Sequence, residues 1–164
     1  MSVPGSRIVK EVVLRAPRSR VWRAITDSSE LGRWFGMRLE GPFRAGAPIF
    51  GIVVPTEVDP VIASHQKPFE GHKVELLVES IEPERLFSFR WHPYAIEPGV
   101  DYSSEPTTLV TFELSEVAEG IKLTVTESGF ENVPEARREE AFRSNEGGWA
   151  AQMGLVEKFL AQNP

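Results

Sequence analysis

The stretch IKLTVTESGFENVPEARREEAFRSNEGGWAAQMGLVEKFL, residues 121–160, decides the fold. It opens with an alternation: Ile121, Leu123 and Val125 share one face, and Lys122, Thr124 and Thr126 the other. That two-residue period belongs to a strand with one buried side. Glu127 continues the apolar face, so a carboxylate points inward. The period then changes. Asn132-Val133-Pro134 starts a helix that runs to about Leu160, and Phe142, Trp149, Met153, Val156 and Leu160 form one stripe along it. At about 1.5 Å per residue this helix is roughly 40 Å long, enough to cross a whole sheet.

The chain before this stretch supplies the sheet. Ile8 to Leu14 is β-branched and alternating, which predicts a strand, and Ala16-Pro17 ends it. Pro17 suits the first turn of a helix through Thr26, with Val21, Trp22 and Ile25 at helical spacing. Asp27 and Glu30 stand three apart, like a capping box, and start a second short helix with Leu31, Trp34 and Phe35 as its apolar face. Gly36 ends it. Two short strands follow, near Met37–Glu40 and Ile49–Val54, around the turn Gly41–Gly46. Pro55 to Glu70 holds three prolines and no clean period, and reads as a loop. His72–Ile81 and Arg85–His92 form an antiparallel pair, because only Glu82-Pro83-Glu84 joins them. Pro93 to Pro106 is a second loop. Thr107–Leu114 and Ile121–Thr126 then pair across Glu119-Gly120. A strand, two short helices, a run of antiparallel strands and a long helix is an α+β order, expected to fill residues 1–164 as a single domain.

Composition excludes several function classes. Of 164 residues, 41% are hydrophobic and 26% charged, normal for a soluble globular chain, and the net charge is -6. An acidic balance argues against nucleic acid and anionic membrane surfaces, which need clustered Lys and Arg. There is no cysteine, which excludes disulfides, thiolate metal sites and a Cys nucleophile. The sequence holds no run of about 20 apolar residues, the length needed to span a membrane, and Met1 to Arg7 has no apolar core of a secretory leader. Cytoplasm is the expected location.

Six short patterns, in order, add a resemblance. Ala16-Pro17 with Val21-Trp22-Arg23-Ala24-Ile25-Thr26-Asp27 is similar to an "aPxxxVWxALTD" opening. Leu31-x-x-Trp34-Phe35 is similar to "LxxWF", and Phe43-x-x-Gly46 to "fxxGg". Ile81-Glu82-Pro83-x-Arg85-Leu86 with Phe89 and Trp91 is similar to a paired-strand motif. Thr124-x-Thr126-Glu127-Ser128-Gly129-Phe130 is similar to "LTxTExGF", and Gly148-Trp149 to "GW". Together they resemble the activator of heat-shock protein 90 ATPase homologue-like family of the SRPBCC superfamily, which also holds START lipid-transfer domains and polyketide cyclases. The resemblance implies a helix-grip fold: a curved antiparallel sheet wrapped around the long C-terminal helix, enclosing a cavity. It implies no single activity. Ala47 stands where the family often has a second glycine, and the 55–70 and 93–106 loops look long for the pattern.

Candidate site residues follow from orientation. Phe87, Phe89 and Trp91 alternate on one face, with Phe112 on a neighbouring strand. With Trp34, Phe35, Trp149 and Met153 they either fill a core or line an aromatic pocket. Glu127 is a candidate acid, base or ligand acceptor if it enters that pocket, and otherwise a sheet-edge carboxylate. Asn145 shares the helix stripe with Phe142 and Trp149, so it brings a polar group to the same place. Gly147-Gly148 costs roughly 1 kcal/mol per glycine relative to alanine in a helix and suggests close packing or a kink. His65, His72 and His92 show no metal spacing, and His65 falls in the first loop. Ser80, Ser88 and Ser128 lack a nucleophile elbow. Arg90 faces outward, and Arg137-Arg138-Glu139-Glu140 reads as a solvated helix face.

Three functions compete at this stage. The first is binding of a small apolar or aromatic molecule, or a lipid, in a hydrophobic cavity, with no cofactor and no metal. The second is an enzyme of cyclase, dehydratase or hydrolase type, pairing Glu127 with Asn145 or Tyr94. The third, resting on the resemblance alone, is stimulation of a heat-shock ATPase by a chain too short for the namesakes' further chaperone-binding domain. An apolar cavity mouth also suits a homodimer interface.

Overall fold

The computed structural model describes residues 7–164. Met1–Ser6, most of the segment read above for a leader, lie outside the described residues. The chain runs β1 (Arg7–Leu14), α1 (Arg18–Thr26), α2 (Ser28–Phe35), β2 (Met37–Leu39) and β3 (Pro48–Val53). It continues through α3 (Pro60–Gln66), β4 (Lys73–Glu82), β5 (Leu86–Trp91), β6 (Thr108–Val117) and β7 (Gly120–Ser128), and ends in α4 (Glu135–Gln162).

The strands form one seven-stranded antiparallel sheet in the order β1-β7-β6-β5-β4-β3-β2. β1 and β2 occupy opposite edges, so α1 and α2 carry the chain across the full width of the sheet. The remaining strands meander back until β7 pairs with β1, with Ile8 opposite Glu127 and Val12 opposite Leu123. A register shift between Val78 and Ser80 interrupts the β4–β5 ladder, the kind of bulge that bends a strand. α4 packs against β1, α1 and α2. This is the helix-grip α+β architecture. None of the described helices is long and apolar enough to cross a membrane.

The core lies between one sheet face and the helices. Phe87, Phe89, Phe112, Phe130, Phe159 and Trp34 are all fully buried, each contributing about 2–3 kcal/mol of apolar burial. Ile121, Leu123, Val125 and Glu127 are buried on one face of β7, as their alternation requires. Arg90 points the other way, to Glu79 at 2.8 Å.

Four local expectations are corrected. Pro55–Glu70 is not all loop, because α3 and a 3-10 turn at Lys67–Phe69 lie inside it. Asp59 caps α3 by accepting from the Val61 and Ile62 amides, and Pro60 fits its first turn. Seven residues are too few to show a helical period. That places His65 on a helix, exposed. Asp27 does cap α2, accepting from Ser29 N at 3.0 Å and Glu30 N at 3.1 Å. Glu30 does not return the bond, because Arg20 and Arg23 hold its carboxylate at 2.8 and 2.7 Å. Close packing does not explain Gly147 and Gly148: a Cβ at either would meet no atom within 4 Å, and α4 runs through both unbroken. Arg137 is not solvated. It pairs with Glu105 at 2.7 Å and donates to Pro93 O at 2.7 Å.

Candidate functional site

Glu127 is the centre of the site. On β7 it lies opposite Val110 of β6, and Trp91 of β5 lies opposite Thr108 of β6, two residues along on the same face. α4 crosses above and presents Asn145 and Trp149 one turn apart. All four converge on a carboxylate that is 0% exposed. Trp91 Nε1 donates to Oε2 at 2.7 Å and Thr108 Oγ1 to the same oxygen at 2.5 Å. Trp149 Nε1 donates to Oε1 at 2.8 Å. Asn145 Nδ2 reaches Oε1 at 2.9 Å and Oε2 at 3.2 Å. The carboxylate thus ties β5, β6 and its own β7 to α4 and has neither oxygen left without a donor, as a buried polar group requires.

An aromatic cluster surrounds this hub. Phe35 meets Trp149 edge-on at 5.6 Å and Trp91 at 6.1 Å between ring centres, and the two indoles lie 5.8 Å apart. Above them a cleft of about 1270 Å³ opens between α4, the 93–106 segment, the α3 region and strands β2 to β4. Phe35, Trp91, Tyr94, Asn145, Gly148 and Gln152 line its inner part. Exposed apolar rings and side chains rim it, with Phe50 51% exposed and Val100 49%.

The 93–106 segment is latched rather than loose. His72 Nε2 lies 2.7 Å from Ala95 O and His92 Nε2 3.0 Å from Glu105 O. Because a carbonyl only accepts, both histidines donate through Nε2. Arg137 adds its bonds to Pro93 and Glu105 and stacks over the Tyr102 ring at 4.8 Å. Tyr94 holds a left-handed backbone, φ 53°, which only a determined surrounding maintains in a bulky residue. Burial, aided by the neighbouring Glu140, raises its phenol above the ordinary value. Its hydroxyl faces Glu140 at 3.4 Å, not Glu127.

The structure divides the sequence-derived residues. Phe35, Trp91 and Asn145 border the cleft, while Glu127 and Trp149 lie directly beneath it. Trp34, Phe89, Phe112 and Met153 sit in the filled core and do not border the cleft. Trp34 packs against its neighbour Phe35 at 5.7 Å between ring centres but is fully buried, its indole donating to Ala24 O at 2.9 Å. Thr108 and Gln152 escaped sequence reading. Thr108 is a polar residue at a strand start, and only the register puts it on Glu127. Gln152 Nε2 donates to Phe35 O at 2.9 Å, and its Oε1 is buried without a partner. Among the described residues, no group of three or more His, Asp and Glu is placed to hold a metal.

Comparison with known proteins places the architecture. No curated protein matches the chain. Protein MLL2253 from Mesorhizobium loti is 20% identical, with 96% of this chain and 98% of that one aligned at a TM-score of 0.69. DynU16, from the dynemicin biosynthetic locus, is 26% identical over 95% of this chain at a TM-score of 0.67, and the chain spans 47% of its length. CalU16 from Micromonospora echinospora is 19% identical, with 97% of this chain and 80% of that one aligned at 0.62. The family model described as Activator of Hsp90 ATPase homolog 1-like protein matches residues 15–161. The chain therefore belongs to the Activator of Hsp90 ATPase homolog 1-like family, within the SRPBCC superfamily.

Proposed function

We propose that the protein binds a small apolar or aromatic molecule in the cleft above Glu127, and that residues 1–164 act as one START-like domain. The observation that carries this reading is the cleft of about 1270 Å³ with an aromatic floor of Phe35 and Trp91, ample for a drug-sized ligand. Gly148 supports it. This glycine borders the cleft, meets nothing with a Cβ, and weakens α4. Helix stability is given up where a side chain would take up ligand space. The dynemicin-locus origin of DynU16 favours a small-molecule ligand over a protein partner. Catalysis by Glu127 gains no such support, since both of its oxygens are engaged and neither is exposed.

An apolar naphthalene fluorophore, titrated into the purified protein, is expected to bind saturably with quenching of tryptophan emission. Gly148→Phe should lower that affinity by about tenfold or more while the protein stays folded, since the added ring enters open space. A wild-type protein with no saturable binding would overturn the reading.

A further inference from the structure

The charge of the ligand can be inferred from what Glu127 lacks. Buried carboxylates are ordinarily paired with a cation or a metal. Here every partner is a neutral donor: two indoles, one hydroxyl and one amide. Arg137 of α4, which bonds to Pro93 O beside the cleft, is paired with Glu105. Both oxygens accept and no cation is among their partners, so the acceptor end of this network, without a positive charge beside it, lies under the aromatic floor of the cleft.

Three further features act in the same direction. An indole that donates its N–H to a carboxylate gains electron density on its ring, and Trp91 does so while bordering the cleft. An electron-rich aromatic face attracts a cation. Gln152 contributes a carbonyl oxygen with no donor, beside Phe35. The cleft is lined by two cations, Arg38 and Lys73, and four acids, Glu40, Glu75, Glu97 and Asp101, so acidic side chains are in excess.

Resting on the cleft-binding reading above, we infer that the ligand is a protonated amine on an apolar or aromatic body. The ammonium sits over the Phe35 and Trp91 rings, within the field of Glu127, and an N–H of it donates to Gln152 Oε1. The body lies along the apolar rim.

A matched trio of probes tests this: naphthylmethylamine, naphthylmethanol and naphthoate, with the same ring carrying a positive, no or a negative charge at pH 7. Calorimetric titration should give the amine an affinity about tenfold above the alcohol, with the acid weakest. Glu127→Gln removes the charge and should bring the amine down to the alcohol, whose own affinity holds. Should that variant fail to fold, Gln152→Leu decides. It should cost the amine several-fold and spare the acid, and an equal loss for all three probes would overturn the ammonium assignment. An alcohol or acid that binds the wild type as well as the amine overturns it too, and leaves the cleft reading intact. Failure of the trio and of the neutral fluorophore together removes the cleft reading itself.

Discussion

The two ends of β5 carry the same aromatic alternation and meet opposite fates. At one end Phe87 is fully buried, packed on Phe43 at 4.8 Å and stacked near-parallel to Phe112 at 6.3 Å. At the other, Trp91 borders an open cleft and gives its indole N–H to Glu127. Nothing in β5 itself distinguishes the ends. What differs is the cover. The closed end is sealed by packing, whereas at the open end α4 lays Trp149 on Trp91 but lines the space beyond with Asn145, Gly148 and Gln152. A core and a binding site are thus two outcomes of one strand pattern, decided by the elements laid across it.

The strongest way to break that contrast is to open the closed end. Phe87→Ala should lower stability by about 3–5 kcal/mol in urea unfolding, as expected for a phenylalanine lost from a packed core. Affinity of the folded variant for the naphthalene fluorophore should stay within about twofold, since Phe87 does not border the cleft. A large loss of binding at full folding would show that the two ends are one continuous cavity lining.

A finer probe acts on the seam between the ends. Thr108→Val keeps shape and removes one donor from the Glu127 carboxylate. A hydrogen bond to a charged group is worth about 1.5–3 kcal/mol, and that loss should appear in thermal or urea unfolding. No change would mean that the remaining three partners satisfy the carboxylate alone.

The contrast also marks what the sequence could and could not say. Orientation was legible wherever a period was long enough. The alternation of β7 turns Glu127 inward, that of β5 turns Phe87, Phe89 and Trp91 to one side, and the α4 stripe brings Asn145 and Trp149 to the same place. Convergence depended on register across strands, so Thr108 was invisible beside Glu127. Neighbouring rings in contact, Trp34 fully buried and Phe35 bordering the cleft, cannot be separated by a motif that contains both. α3 carried a signal in Asp59-Pro60, but a seven-residue helix has no period to confirm it. Arg137 looked solvated because its partners, Pro93 and Glu105, lie more than thirty residues earlier in the chain.

The smallest effect separates the helices behind the two ends by their caps. Asp27 holds α2, which brings Leu31 and Trp34 into the closed core, and Asp59 holds α3 beside the cleft. The Asp27 carboxyl lies below its ordinary 3.8, chiefly through the bond from the Glu30 amide and then that from the Ser29 hydroxyl. Asp59 is lowered as well, first by Lys158 and then by the Ile62 amide. Both groups release their proton more readily folded than unfolded. The stability they supply is therefore complete above about pH 4 to 5 and lost as pH falls through the depressed folded values. Asp27→Ala should cost about 1 kcal/mol at neutral pH, typical of a helix cap, and the gap to wild type should close toward pH 2. Asp59→Ala should leave the urea midpoint nearly unchanged and speed proteolysis within residues 55–70, because it frees an exposed helix rather than one driven into the core. Equal shifts in midpoint for the two variants would show that α3 belongs to the same cooperative unit as the closed end. The cleft would then have a wall as rigid as the core beside it.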